Sequence, residues 1–258
     1  MDYLCERFCK FKLKYPLTAI KPIQSSEKSK KQQVEEMFDS ISGRYDFLNH
    51  FLSLGIDKIW RKKAVANLKP LNPKYMLDVA TGTADLAIEC LKLNPDKVIG
   101  VDLSEGMLSM GRKKLSGAGL SDKIELRKGD SERLLFDDNT FDACTVGFGV
   151  RNFENLDQGL SEIYRVLKPG AMLVVLEFSK PRVFPVKQVY NLYFNAILPF
   201  WGRYISKNNS AYSYLPESVK HFPDGKDFIS HLQSVGFDNC NMKALSFGIC
   251  SIYTGVKK

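Results

Sequence analysis

No stretch of this sequence approaches the ~18 consecutive apolar residues that a membrane-spanning helix requires, so a helical membrane span is excluded. The opening residues, Met1-Asp2-Tyr3-Leu4-Cys5-Glu6-Arg7, carry acids and lack the apolar core and small-residue cleavage site of a secretory signal. Both absences point to a cytoplasmic protein. Cysteine is sparse: six residues, at 5, 9, 90, 144, 240 and 250, form no C-x-x-C pair. Zinc-ribbon and thioredoxin-type chemistry are therefore not expected. Cys90, Cys144 and Cys250 sit among apolar neighbours and read as small core residues. Three histidines, His50, His221 and His231, show no metal-ligand spacing, and no metal is expected.

Positive charge is abundant. The formal net charge is +8, and the first 33 residues carry eight basic side chains against three acids. Residues 1–33 read as a basic, flexible tail. Such a tail is either solvated or drawn to anionic lipid or nucleic acid. Nucleic acid is the weaker expectation, because no RNA-binding module is visible. A nucleic-acid-binding protein stays as a distant alternative.

From Gln33 the pattern turns helical. Val34, Met37, Phe38, Ile41 and Tyr45 fall on one helical face. A second apolar set, Phe47, Leu48, Phe51 and Leu52, ends at Gly55. A third helix is expected after Asp57 as its N-cap, burying Trp60, Ala64 and Leu68. Residues 34–70 thus read as a helical cap, and 71–258 as the main domain. There, strands are expected over 75–80, 98–102, 123–128, 140–147 and 171–178. Helices are expected over 85–93, 105–115, 156–167 and 224–235. Two further strands, 238–244 and 248–256, are close enough to pair as a hairpin. This order predicts an α/β fold with a mostly parallel seven-stranded sheet.

Ligands of open parallel sheets bind at the carboxyl ends of strands. The first strand ends in the loop Asp78-Val79-Ala80-Thr81-Gly82-Thr83-Ala84-Asp85, whose small residues allow a tight turn and a close backbone approach. Asp102 ends the second strand, twenty residues after Gly82, where an acid can accept from ribose hydroxyls. Asp130 and Ser131 follow the third strand, and Asp130 can accept from an adenine amine. Gly147 ends the fourth. The G-x-G-x-x-G of a dinucleotide site is missing. A nucleoside without phosphates fits better, and S-adenosyl-L-methionine is the expected cofactor, with Asp78, Gly82, Thr83, Asp102, Asp130, Ser131 and Gly147 around it.

Over residues 33–258 the sequence resembles the C-methyltransferases of menaquinone and ubiquinone biosynthesis. The resemblance rests on Phe38-Asp39-Ser40-Ile41-Ser42, Tyr45-Asp46, Asn49, Gly55-Ile56-Asp57 and Trp60-Arg61. It continues through Leu77–Thr83, Phe148-Gly149-Val150-Arg151-Asn152, Tyr164–Gly170, Leu176-Glu177-Phe178-Ser179-Lys180-Pro181 and Tyr212–Ser218. It implies a Rossmann-like class I methyltransferase fold. It also implies methyl transfer to a ring carbon of a prenylated quinol, for which 2-demethylmenaquinol is favoured over a ubiquinone-pathway benzoquinol. The family positions matching Thr83, Asp102, Asp130, Ser131 and Gly147 line the cofactor site. Where the family carries Gly-Thr-Gly-Asp, this chain has Ala84, one added methyl expected beside the cofactor.

Arg151 and Asn152 follow the fourth strand on the same rim and are the expected catalytic residues. Arg151 would stabilise a phenolate or help a water take its proton, and Asn152 would hold the hydroxyl. An arginine is a poor direct base, and the alternative for the pair is an ordinary ion-paired arginine beside a turn asparagine. Tyr45, Asn49, Tyr193, Phe194 and Tyr212 are the expected substrate contacts. Tyr190, Tyr193, Phe194, Ile197 and Trp201 share one helical face, which reads as core, as a wall for an isoprenoid tail, or as a surface that dips into a membrane. Residues 183–222 are expected to form an insertion over the substrate. Peripheral contact with an anionic membrane and a homodimer are the remaining partner expectations.

Overall fold

The computed structural model describes residues 20–53, 55–192 and 209–258. One seven-stranded sheet runs through them, in the order β3-β2-β1-β4-β5-β7-β6. Its strands are β1 (Tyr75–Val79), β2 (Lys97–Asp102), β3 (Ile124–Lys128), β4 (Phe141–Gly147), β5 (Leu167–Phe178), β6 (Asp238–Leu245) and β7 (Cys250–Val256). β1 to β5 pair in parallel, and β7 alone is reversed, antiparallel to both β5 and β6. The expected C-terminal hairpin is therefore present, and it docks through its second strand.

Strands covered on both faces need apolar residues at successive positions, and β1 and β4 are buried in this way. Alternate side chains feed two cores. Leu77, Val79, Cys144 and Val146 meet α5 (Leu156–Val166) and α8 (Lys226–Val235) on one face. Met76, Val98, Ala143 and Val174 meet α2 (Ile56–Ala66), α3 (Asp85–Cys90) and α4 (Glu105–Gly117) on the other. Ser104 caps α4 and Asn155 caps α5, each accepting from an amide three residues on. Cys90, Cys144 and Cys250 are buried as expected, and burial pushes their thiols up.

The N-terminal region departs from expectation in two places. α1 (Lys30–Leu52) is one continuous helix that starts before Val34 and absorbs the second apolar set. Its start lies in the segment read as a tail, because Lys30 and Gln33 are buried against the domain. Residues 1–19 lie outside the described residues. Asp57 is not a cap: Gly55, at φ 74, precedes the first turn of α2. Asp57 lies inside that turn, where it accepts from Arg61 at 2.6 Å and from Ser53 at 2.6 Å.

Residues 183–222 contain α6 (Val186–Leu192) and α7 (Asn209–His221). Residues 193–208, which include the expected contacts Tyr193 and Phe194, lie outside the described residues. Tyr214 of α7 packs with Val34 and Met37 of α1, so α7 rests on the cap.

Candidate active site

The strand order reverses between β1 and β4, and the crevice at such a switch point is where open α/β sheets bind ligands. The chain leaves β1 through three left-handed residues, Ala80 (φ 53), Gly82 (φ 56) and Ala84 (φ 71). This winding aims the Gly82 amide at β2, where it donates to Asp102 Oδ2 at 2.8 Å. Ser104 N donates to Asp102 Oδ1 at 2.9 Å. A carboxylate has about four acceptor sites, so the two amides leave Asp102 capacity for donors in the cavity it lines. Burial raises its pKa.

The cavity holds about 690 Å³ of empty space, its open mouth included. Gly82, Asp102, Ser131 and Gly147 line it, four of the seven expected cofactor residues. Gly149 lines it too, and a side chain there would meet the Ala80 methyl at 2.5 Å. The roof is α1, which contributes Lys31, Val34, Phe38 and Tyr45. Phe38 and Tyr45 meet edge-on at 5.9 Å. Desolvation pushes the Tyr45 hydroxyl up to about 12, so it stays protonated at neutral pH.

The other three expected cofactor residues have different partners. Asp78 is buried beneath the loop, accepting from Thr81 Oγ1 and Thr145 Oγ1 at 2.6 Å each. It shapes the turn rather than lining the cavity, and burial pushes its pKa up to about 6. Thr83 donates to Asp46 of α1 and accepts from Lys114 at 3.2 Å. Asp130 accepts from Lys31 at 2.7 Å and from the Glu132 amide at 2.9 Å. Its carboxylate thus ties the roof helix to the loop after β3. Ala84 is fully buried in the core with Trp60, so its methyl does not face the cavity as expected.

Arg151 and Asn152 occupy a short turn after β4, Val150–Asn152, and they diverge. Arg151 turns into the protein, donating to Glu177 Oε1 at 2.7 Å and to the Phe148 carbonyl, with its guanidinium 5.6 Å from the Phe178 ring centre. Both members of the ion pair are buried, and burial raises the Glu177 pKa. Asn152 lines the cavity instead. Asn152 Oδ1, Arg151 Nε and the Tyr214 hydroxyl are buried with no hydrogen-bond partner among the described residues. Asn49 and Tyr212, expected substrate contacts, are placed as backbone within α1 and α7.

Three contributors had no role assigned from the sequence. Lys30, counted there as tail charge, donates its ammonium to the carbonyls of Arg151 (2.9 Å) and Phe153 (2.7 Å). It clamps the turn that presents Asn152, and desolvation lowers its pKa to about 8. Glu177 is an acid inside an otherwise apolar strand, a placement that signals a buried partner. Asp39 binds α1 to the start of α4, accepting from Ser104 Oγ at 2.5 Å and Gly106 N at 2.9 Å. Among the described residues, no group of three or more His, Cys, Asp or Glu side chains gathers in a way that could hold a metal ion.

Known proteins resemble this chain in sequence and in fold. The sequence profile of the ubiE/COQ5 methyltransferase family matches residues 26–257. A demethylmenaquinone methyltransferase of Bacteroides fragilis is 51% identical over 246 residues, covering 95% of this chain and 100% of its own. The demethylmenaquinone methyltransferase of Porphyromonas gingivalis is 44% identical, covering 90% of this chain and 96% of its own. A ubiquinone/menaquinone biosynthesis C-methyltransferase of Geobacter sulfurreducens is also 44% identical, covering 88% and 90%. Among solved structures, a SAM-dependent methyltransferase of Thermotoga maritima superimposes with a TM-score of 0.62 at 19% identity, covering 87% of this chain and 99% of its own. The [4+2]-cyclase SpnF superimposes with a TM-score of 0.63 at 18% identity, covering 88% and 96%. At such identities the likeness is one of fold, and SpnF illustrates that the fold does not dictate the chemistry.

Proposed function

The chain belongs to the ubiE/COQ5 methyltransferase family, and from that premise we propose that it methylates 2-demethylmenaquinol to menaquinol with S-adenosyl-L-methionine as donor, the last step of menaquinone biosynthesis. The observation that carries this reading is the 51% identity to the Bacteroides fragilis enzyme along that enzyme's whole length. The cavity fits the donor. Asp102 keeps acceptor capacity for a ribose diol, the Gly82 turn allows close backbone approach, and no phosphate-binding glycine motif is present.

When bound, the donor supplies an electrophilic sulfonium methyl. The protein's share is alignment and charge. Asn152 offers a buried, unpartnered carbonyl oxygen at the cavity wall, suited to hold a quinol hydroxyl. Arg151, permanently cationic, sits behind it and favours negative charge on the quinol oxygen. The Glu177 partner fixes the guanidinium and tempers that field. Tyr45, at the cavity wall, is the candidate for the second quinol oxygen. A prenylated substrate resides in lipid, so the protein works at the membrane surface. Among the described residues no helix is long and apolar enough to cross a membrane.

The test is transfer of a labelled methyl group to reduced demethylmenaquinol, run beside the demethylated benzoquinol. Naphthoquinol turnover with kcat/KM at least about tenfold higher, a preference near 1.4 kcal/mol, is the expected result. Equal turnover would make the substrate assignment too narrow, and no transfer to either would overturn the proposal.

A further inference from the structure

Large apolar side chains left in solvent are unremarkable one at a time, but a cluster marks a binding surface. Most of the exposed ones among the described residues share one edge. Phe247 and Phe184 are 78% and 76% exposed, and Val183, Val189, Leu192 and Ile59 are exposed with them. Their convergence follows from the hydrogen bonds. Ser179 N donates to Ile249 O, and Ser179 Oγ to Gly248 O, so the chain leaving β5 lies on the turn Ser246–Gly248. Pro181 touches Gly248 in the same place. Val183 is two residues further, within about 7 Å of it, and α6 follows directly. From the other side, Trp60 of α2 donates to Ser246 Oγ at 2.9 Å, bringing Ile59 to the same edge. β5 ends and β7 begins here. The edge is therefore the carboxyl rim of the sheet, the rim on which the cavity opens.

Two further observations give this edge a purpose. Ser246 (φ 46) and Phe247 (φ 58) are consecutive left-handed residues without being glycine. That conformation is an outlier for a bulky side chain, and strain of this kind concentrates at functional sites. Here it holds a phenylalanine ring out in water. The exposed charge on the segments that carry the ridge has one sign. Lys58, Lys62, Arg182 and Lys187 are exposed on the same elements. Residues 180–192 and 245–256 contain no acid, and the one acid of α2, Asp57, is buried against Arg61.

We infer that this rim is a membrane-docking surface. The apolar ridge around Phe247 and Phe184 enters the headgroup region of an anionic bilayer, and the basic side chains contact lipid phosphates. A second copy of the chain is a poorer occupant, because a two-fold contact would set the same bases against each other. Docking in this pose turns the cavity mouth toward the layer that holds a prenylated quinol. In that respect the inference rests on the substrate reading above.

Vesicle binding tests it without any substrate. The full chain is co-sedimented with vesicles of phosphatidylglycerol and phosphatidylcholine, and with phosphatidylcholine alone. Phe247→Gly and Phe184→Ser are compared with the parent. The glycine variant removes the ring and relieves the left-handed backbone, so its melting temperature should not fall. Stronger binding to the anionic vesicles, and a partition coefficient about tenfold lower for each variant, would support the assignment. Turnover of a water-soluble naphthoquinol without the prenyl tail should stay at the parental rate. Equal vesicle binding by parent and variants would overturn it. So would a parental dimer that Phe247→Gly splits while vesicles go unbound. Vesicle binding lost as expected in the variants, with no methyl transfer by any form, would support the surface and fault the substrate reading alone.

Discussion

An unsatisfied buried polar atom destabilises a protein by about 1–3 kcal/mol, and Asn152 carries such an oxygen at the cavity wall. Removing it should therefore cost the fold little and the reaction much. For Asn152→Ala we expect kcat to fall at least about tenfold, with the melting temperature within about 3 °C of the parent. Parental kcat would remove Asn152 from the chemistry. Asp78 offers the reverse case, a group important to the fold and remote from the reaction. Its folded pKa, about 6, is raised above the model-peptide value of 3.8. A raised value means that its contribution to stability is full below about pH 4 and is lost as pH climbs through about 6. Asp78→Asn cannot charge. It should match the parent near pH 4 and exceed it at pH 7 by up to about 3 kcal/mol, as urea titrations at both pH values would show. A gap that does not change with pH would refute the assignment. At this scale the sequence was partly legible. Gly82, Asp102 and Gly147 follow from strand ends and line the cavity, whereas the protein partners of Asp130 and Thr83 were not legible, because Lys31 and Asp46 lie far away in sequence on α1.

Among the elements, α1 couples the cap to the site. Lys31, Glu35, Asp39 and Asp46 on this one helix are joined to Asp130, Lys128, Ser104 and Lys114 of the sheet domain. Those links are partly exposed and individually weak, so we expect the roof to open as the donor exchanges. Asp46→Ala removes the partner of Thr83 and one partner of Lys114. We expect amide exchange over residues 30–46 to speed at least about tenfold, and donor dissociation, followed by stopped flow, to speed with it. Faster exchange with unchanged dissociation would show that α1 is not the gate. Periodicity revealed this helix from Val34 onward. Its true start was hidden because Lys30 reads as a solvated charge, and only the fold supplies the carbonyls of Arg151 and Phe153. Asp57 was mistaken for a cap for a similar reason: its Arg61 partner one turn on satisfies it inside the helix.

For the molecule as a whole, the strands and helices over residues 75–178 and 224–256 were legible to within a few residues, β5 starting at Leu167, four residues before the expected Ala171. Parallel strands buried on two faces leave mostly apolar runs, and two of the helices between them, α4 and α5, carry side-chain caps. The order in which the strands lie side by side was not legible. Nothing in the spacing of β6 and β7 says that the later strand takes the inner place, with seven paired positions against β5. Deleting residues 250–258 should therefore do more than trim an end. Among the described residues it removes the only strand joining β6 to the sheet, and it strips one of two partners from β5. We expect the truncated chain to lack cooperative unfolding by circular dichroism and to aggregate through the bared edge. A soluble, cooperatively melting truncation would contradict this.

The inner position of β7 also sets a schedule for synthesis. β1 to β5 can assemble in chain order as they leave the ribosome, but β6 emerges with no neighbour to pair with. It must wait, tethered and open, until β7 has been translated and slots between the two. The β5 edge, Leu167–Phe178, is exposed for that whole interval. During translation this mostly apolar strand is the segment that a chaperone has most reason to cover.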